Sequence, residues 1–149
     1  MKSWLDYISF GETGTGGWSN GDGLIHCVRA AYDLESEDFQ VSLLKHEAQH
    51  AMDQARYKDI TVEELEYRAK LVELIYSRER RMLEHFVSQA DATKADNGHG
   101  LAAERIVRGF EIYLKKDRGS LAKLPLESIQ TIAQSLFSES SGEIAAKYR

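Results

Sequence analysis

Residues 46 to 50 read His46-Glu47-Ala48-Gln49-His50, inside a segment whose apolar residues have helical spacing. Side chains four residues apart on a helix project from one face, one turn above the other. The imidazoles of His46 and His50 can then bind a single zinc ion through Nε2 at about 2.0–2.1 Å. Glu47 lies at the edge of this face, where its carboxylate can act on a zinc-bound water without being a ligand. The alternative is a surface helix that carries two histidines by chance.

The helix that carries this motif is predicted to cover about residues 39–57, because Ser36 and the two acids after it mark a helix start. Thr61 and Glu64 have the spacing of a capping box, which predicts a second helix from there to about Ala90. Two further helices are predicted over residues 101–116 and 126–137, with a loop at 91–100 and a break at 140–142.

A small β-sheet is predicted ahead of these helices. Residues 4–10 alternate loosely, as in a short strand, and residues 11–23 have the glycine content of a loop or hairpin connection. Residues 24–32 are rich in β-branched and aromatic side chains, which predicts a strand. Strands followed by helices indicate an α+β fold.

Length and composition indicate one globular domain covering residues 1–149. The net charge of −5 and the lack of a basic cluster argue against nucleic acid as a partner. No apolar run approaches the roughly 18 residues that a membrane span needs, so no membrane partner is expected. The single cysteine, Cys27, excludes an intrachain disulfide and is expected to be a small buried side chain.

The first residues lack the apolar core of a signal peptide, which favours the cytoplasm if the chain is complete. If the chain is part of a longer protein, its compartment is unknown. The oligomeric state is not indicated by the sequence.

A catalytic zinc usually has three protein ligands and one open position, so a third ligand is expected. The metzincin pattern would require glycine and histidine three and six residues after His50, where this chain has Asp53 and Arg56. An acid from the next helix is the remaining common solution. The candidates are Glu63, Glu64, Glu66 and Glu73.

Helical phase favours Glu66. The apolar face of the second helix is defined by Val62, Leu65, Ala69 and Val72, and Glu66 falls on that face. A buried carboxylate is costly unless something pairs with it, which a zinc ion would do. Two alternatives stay open: Glu73 lies on the same line two turns further on, and Glu66 can instead form a surface ion pair with Lys70.

Together, residues 46–50 and Glu66 on the next helix resemble the gluzincin family of zinc metallopeptidases, in particular its smallest members. The resemblance covers roughly residues 24 to 73. It implies a zincin-like fold: a small mixed sheet with an edge strand above the cleft, an active-site helix and several packed helices. His46, His50 and Glu66 would be the zinc ligands and Glu47 the general base. Residues 24–32 would be the edge strand that pairs with an extended peptide.

The expected function is hydrolysis of peptide bonds in a peptide or protein substrate, with one Zn²⁺ per chain as cofactor. The main alternative is a zincin-like module that binds zinc for a regulatory or interaction role without turnover. A third possibility is a metal-free helical interaction domain.

Larger gluzincins use a histidine or tyrosine to stabilise the oxyanion, and no motif locates that residue here. The candidates are His99, Tyr57 and Tyr67. Asp53, one turn after His50, is a candidate to accept the other imidazole N–H and so to orient the ring. The remaining histidines, His26 and His85, have no partners in the sequence pattern and are interpreted as non-ligands.

Overall fold

The computed structural model describes residues 17–19, 24–28, 32–93 and 97–148. Two short strands come first, β1 (Gly17–Ser19) and β2 (Ile25–Cys27). The helices that follow are α1 (Glu37–Phe39), a π-helical segment (Gln40–Lys45), α2 (His46–Arg56), α3 (Val62–Tyr76), α4 (Arg81–Gln89), α5 (Gly98–Leu114), a 3₁₀ segment (Arg118–Lys123) and α6 (Leu126–Lys147).

The predicted α+β fold with a mixed sheet is wrong, because the chain is mostly helical. β1 and β2 pair antiparallel, with Trp18 opposite His26, and form the whole sheet within the described ranges. Among the described residues of the strand predicted over 24–32, β2 covers Ile25–Cys27 and is flanked by the exposed side chains of Leu24 and Val28, while residues 29–31 lie outside the described residues. Strand propensity reflects packing on a half-buried sheet surface, and the described residues form no sheet larger than this pair. The strand predicted over residues 4–10 lies outside the described residues.

The helix that carries the motif is confirmed. Its N-cap is Ser36, whose Oγ accepts the Phe39 N–H at 3.2 Å. The backbone then stays in the right-handed helical region through the π-helical segment and into α2, which ends at Arg56. The π-helical turns were not predicted, and they lie directly before His46. Such widened turns are rare and concentrate at functional sites.

The capping box at the start of α3 is confirmed. Thr61 Oγ1 accepts the Glu64 N–H at 3.3 Å, and the Glu64 carboxylate accepts the Thr61 N–H at 3.4 Å. The prediction that this helix reaches about residue 90 is wrong, because it ends at Tyr76 and α4 starts at Arg81.

A contact between distant parts of the chain explains the break between α3 and α4. Ser77 leaves the helical conformation, and its hydroxyl donates to Glu37 Oε1 at 2.5 Å. The Arg78 N–H donates to the same carboxylate at 3.1 and 3.2 Å. Because Glu37 is 40 residues upstream of Ser77, local sequence patterns give no sign of this turn.

The later helices also differ from their predicted limits. α5 starts at Gly98, inside the predicted loop, where Asn97 Oδ1 accepts the Gly100 N–H at 3.0 Å. α6 continues through the predicted break to Lys147. Ser140 is buried, and the Ser141 hydroxyl donates to the Phe137 carbonyl one turn back, at 2.8 Å. Both serines are therefore accommodated within the helix.

Helix α3 lies at the centre of the molecule, in contact with α2, α5 and α6. Every residue from Leu65 to Leu74 of α3 is buried. The core around it is formed mainly by large apolar side chains, which include Leu71, Leu74, Phe86, Ile106 and Phe110. Cys27, expected to be buried, is exposed. Among the described helices, none combines the length and apolar character that crossing a membrane requires.

Two substitutions on α5 test this core. Phe110 is fully buried and Ile112 is 77% exposed, two residues away on the same helix. Phe110→Ala should lower the free energy of unfolding by about 3–5 kcal/mol, because it removes a packed ring and leaves a cavity. Ile112→Ala should change it by less than about 0.5 kcal/mol. Denaturant unfolding at constant metal content measures both, and equal losses would contradict the packing described for α5.

Candidate metal centre

Helices α2 and α3 bring three predicted ligands together. The Nε2 atoms of His46 and His50 are 2.9 Å apart. The Glu66 carboxylate faces both rings, with Oε2 3.5 Å from His46 Nε2 and Oε1 3.4 Å from His50 Nε2. All three residues are about nine-tenths buried. The three donors therefore form a small triangle shielded from bulk solvent.

The size of this triangle fits a zinc ion. Tetrahedral ligands at about 2.0–2.1 Å from zinc lie about 3.3 Å from one another. The observed separations of 2.9, 3.4 and 3.5 Å lie around that value. The buried Glu66 Oε2 has no hydrogen-bond partner among the described residues, and coordination to a bound cation would compensate its burial. The donor types, two imidazoles and one carboxylate, are those that zinc prefers.

Glu73 contacts the imidazole of His46. Its Oε1 lies 2.6 Å from His46 Nδ1, in a contact buried between α2 and α3. An imidazole that donates from Nδ1 keeps its Nε2 lone pair free for a metal, and carboxylates often fix ligand histidines in this way. Glu73, a candidate for the third ligand in the sequence, thus contacts the histidine on the side away from the other donors.

The Glu66 carboxyl is held in its ionised form. Burial alone would raise the pKa of Glu66, but the close polar contacts and positive charge of the His50, His99 and His46 rings hold it well below its usual range. The surface pair with Lys70 is not formed, because Lys70 is buried and its ammonium lies 4.4 Å above the Phe86 ring. Burial lowers the pKa of Lys70, while Glu73 and Glu66 oppose that shift.

Glu47 also lies at the site. It is half-buried, and one of its carboxylate oxygens and one ring nitrogen each of His46 and His50 all lie within 4.8 Å of one another. Glu66 faces Nε2 of both histidines from α3, at 3.4 and 3.5 Å. Both carboxylates therefore lie close enough to reach a metal held by the two imidazoles.

Of the three candidates for an oxyanion-stabilising residue, His99 lies at the site. Its Nδ1 is 3.0 Å from Glu66 Oε2, although the ring is not aligned for a hydrogen bond, and the side chain is 64% exposed. Tyr67 instead lies beneath the Arg105 guanidinium, 4.0 Å from its ring centre. The ring of Tyr57 faces that of Tyr148 at 6.3 Å.

His99 reaches the site because the start of α5 packs closely against the start of α3. A Cβ atom at Gly98 would lie 3.2 Å from Val62 Cγ1 and 4.0 Å from Glu66 Cγ. The small residue before His99 therefore permits the close approach of the two helices. The sequence pattern around residues 97–100 was interpreted as a loop and gave no sign of this contact.

The predicted role of Asp53 is wrong. Its carboxylate does not accept from His50. It pairs instead with Arg68, whose Nε donates to Oδ2 at 2.7 Å. Gln49 Nε2 donates to the same oxygen at 2.8 Å. The buried His50 Nδ1 has no hydrogen-bond partner among the described residues.

Tyr32 lies outside the donor set, with its ring 5.6 Å from that of Phe39. Burial raises the pKa of Tyr32, and negative charge on Cys27, Asp38 and Glu47 raises it further.

Comparison of the chain with protein-family models, curated proteins and solved structures finds no match, so the resemblance to gluzincins rests on these residues and their geometry alone.

Proposed function

We propose that this protein is a zinc-dependent peptidase, in which His46, His50 and Glu66 bind one Zn²⁺ and Glu47 is the general base. The observation that carries the proposal is the buried triangle of 2.9, 3.4 and 3.5 Å between the three donor groups. A purely structural zinc has no use for a base, and Glu47 lies next to the histidines. The choice of a peptide as substrate follows from the resemblance to gluzincins.

Each residue then has a distinct task. A bound zinc would polarise the substrate carbonyl and acidify a water molecule. As the general base, the Glu47 carboxylate would accept a proton from the attacking water and then donate it to the departing amine. Glu66 supplies negative charge to the metal, and Glu73 holds the His46 ring in the required tautomer.

The alternative, a zinc-binding module without turnover, is favoured by a specific observation. His99 Nδ1 lies 3.0 Å from Glu66 Oε2, so a fourth protein donor atom, the third imidazole nitrogen, adjoins the donor set. A zinc with four protein ligands is closed and structural, whereas a catalytic zinc keeps one position open. The short β2 strand also gives an extended peptide only three residues to pair with.

The first test concerns the donor set. His50→Ala and Glu66→Gln should each strip most of the zinc from a protein that otherwise holds about one ion per chain, since each removes a ligand. His85→Ala and Glu63→Gln are matched controls, because both residues lie outside the site, and they should retain the metal. Elemental analysis of the purified variants measures this, and full zinc retention in His50→Ala and Glu66→Gln would refute the site.

The second test removes the base while preserving its shape. Glu47→Gln should keep zinc content and thermal stability, because Glu47 is not a ligand in this scheme. It should lower peptidase activity by about 10²–10⁴-fold, the usual contribution of a positioned general base. Activity on an unstructured protein, abolished by a chelator and restored by zinc, is the measurement. Equal cleavage by wild type and Glu47→Gln would assign the activity to a contaminant and support the non-catalytic module.

The third test separates the two roles open to His99. As an oxyanion-stabilising donor, His99 would be needed for turnover alone, so His99→Ala should keep the zinc affinity and lower kcat by about 10²–10³-fold. As a fourth ligand it would hold the metal, and His99→Ala would weaken zinc binding. Zinc affinity and kcat are therefore measured on the same preparation, and a loss of affinity would favour the closed, structural site.

A further inference from the structure

We propose that the buried ion pair between Asp53 and Arg68 positions the zinc ligands, and that helix α6 holds this pair in place. The inference rests on the proposed zinc site. Asp53 follows the ligand His50 by three residues on α2, and Arg68 follows the ligand Glu66 by two on α3. The pair therefore connects the two ligand-bearing helices about one turn beyond the donor triangle.

The connection has a fixed geometry. Arg68 Nε donates to Asp53 Oδ2 at 2.7 Å, and Arg68 Nη2 donates to Oδ1 at 3.2 Å. Two parallel hydrogen bonds between planar groups set both the distance and the angle between their helices. Arg68 and Asp53 are 4% and 3% exposed, so solvent does not screen this contact.

A third hydrogen bond connects the Asp53–Arg68 pair to residues 46–50. Gln49 Nε2 donates to Asp53 Oδ2 at 2.8 Å, and Gln49 is buried directly before His50 in the chain. The Asp53 carboxylate therefore accepts hydrogen bonds from both α2 and α3. Movement of one helix along the other would stretch the two hydrogen bonds from Arg68 to Asp53 and the donor triangle together.

Helix α6 fixes the guanidinium from the opposite side. Arg68 Nη1 donates to Ser141 Oγ at 3.0 Å and to Ser140 Oγ at 3.4 Å, and its Cζ lies 4.2 Å from the centre of the Phe137 ring. A second attachment lies further along α6, where Lys147 Nζ donates to Glu64 Oε1 at 3.0 Å.

Positioning and stabilisation are separate effects of such a buried ion pair. A buried ion pair must recover a large desolvation cost, and apolar side chains of similar shape often stabilise a fold equally well. What the pair adds is a defined orientation of the two helices. The gap between His50 Nε2 and Glu66 Oε1 is 3.4 Å, close to the spacing of about 3.3 Å that tetrahedral zinc requires. A displacement of about 1 Å would spoil this match.

The test replaces both charges at once, so that no unpaired charge stays buried. The double variant Asp53→Leu/Arg68→Met should remain folded, yet bind zinc about tenfold more weakly in competition with a chelator, the lower end of the usual effect of groups that orient ligands. With cobalt(II) in the site, its visible absorption spectrum should also shift, because that spectrum reports ligand geometry. A purely structural role would leave both readouts unchanged.

The matched control removes an ion pair away from the site. Arg118 donates to both oxygens of Glu104 at 2.9 Å, and Glu104→Leu/Arg118→Met should leave zinc affinity and the cobalt spectrum unchanged. If Asp53→Leu/Arg68→Met fails to fold, Arg68→Lys serves instead, because it keeps the charge but loses the paired hydrogen bonds. It should show the same weakening and spectral shift.

The outcomes separate this inference from the proposed function. If the wild type binds neither zinc nor cobalt, the metal site itself is refuted and the positioning role with it. If the wild type binds both metals and the Asp53 and Arg68 variants match its affinity and spectrum, only the positioning role is overturned.

Discussion

The interface between α2 and α3 is polar at the place where a small helical protein would ordinarily be apolar. His46, His50, Glu66 and Glu73 are all buried there. Buried ionisable groups are costly unless they are paired, and each of these four faces an opposite charge or a hydrogen-bond partner. Two of their buried atoms, Glu66 Oε2 and His50 Nδ1, accept or donate no hydrogen bond among the described residues, and both belong to ligand residues of the proposed zinc site. The packing of the remaining helices has to accommodate this polar layer.

The surrounding helices pack on α3 in two different ways. The apolar core of α3, α4, α5 and α6 lies on the other sides of α3, where Leu71, Leu74 and Phe110 are fully buried. Helix α2 packs on the polar side, following a π-helical segment that widens the turn before His46, and the start of α5 adjoins it at Glu66. The large core can therefore hold α3 rigidly, while α2 and its partners define the site.

Local patterns predicted the parts of this arrangement that depend on local chemistry. The Ser36 cap, the capping box at Thr61 and the shared face of His46 and His50 all follow from contacts within one or two turns. The end of α3 could not be predicted in this way, because the Glu37 carboxylate that binds the turn after it lies 40 residues earlier in the chain. The predicted sheet was too large for a related reason: β propensity needs a surface to pack on, and within the described ranges β2 has a partner strand of three residues.

Helical phase alone does not single out Glu66. Phase separates two acids only when a helix has one apolar face and one exposed face, but residues 65–74 of α3 are buried all round. Burial alone therefore does not separate Glu66 from Glu73, Arg68 or Lys70. The distinction comes from partners, because Glu73 contacts His46 Nδ1, whereas Glu66 faces Nε2 of both histidines. Side-chain direction relative to a second helix is a tertiary property that no single-helix pattern contains.

A helical scaffold changes what the zinc motif requires of the rest of the chain. In the zincin-like arrangement expected from the sequence, a sheet edge would help to bind an extended substrate. Here, within the described residues, β2 offers three residues, and the side chains around the site come mainly from α2, α3 and the start of α5. Substrate recognition would then depend on side chains such as His99 more than on backbone pairing. Selectivity would therefore be set by the groups around the opening of the site rather than by strand addition.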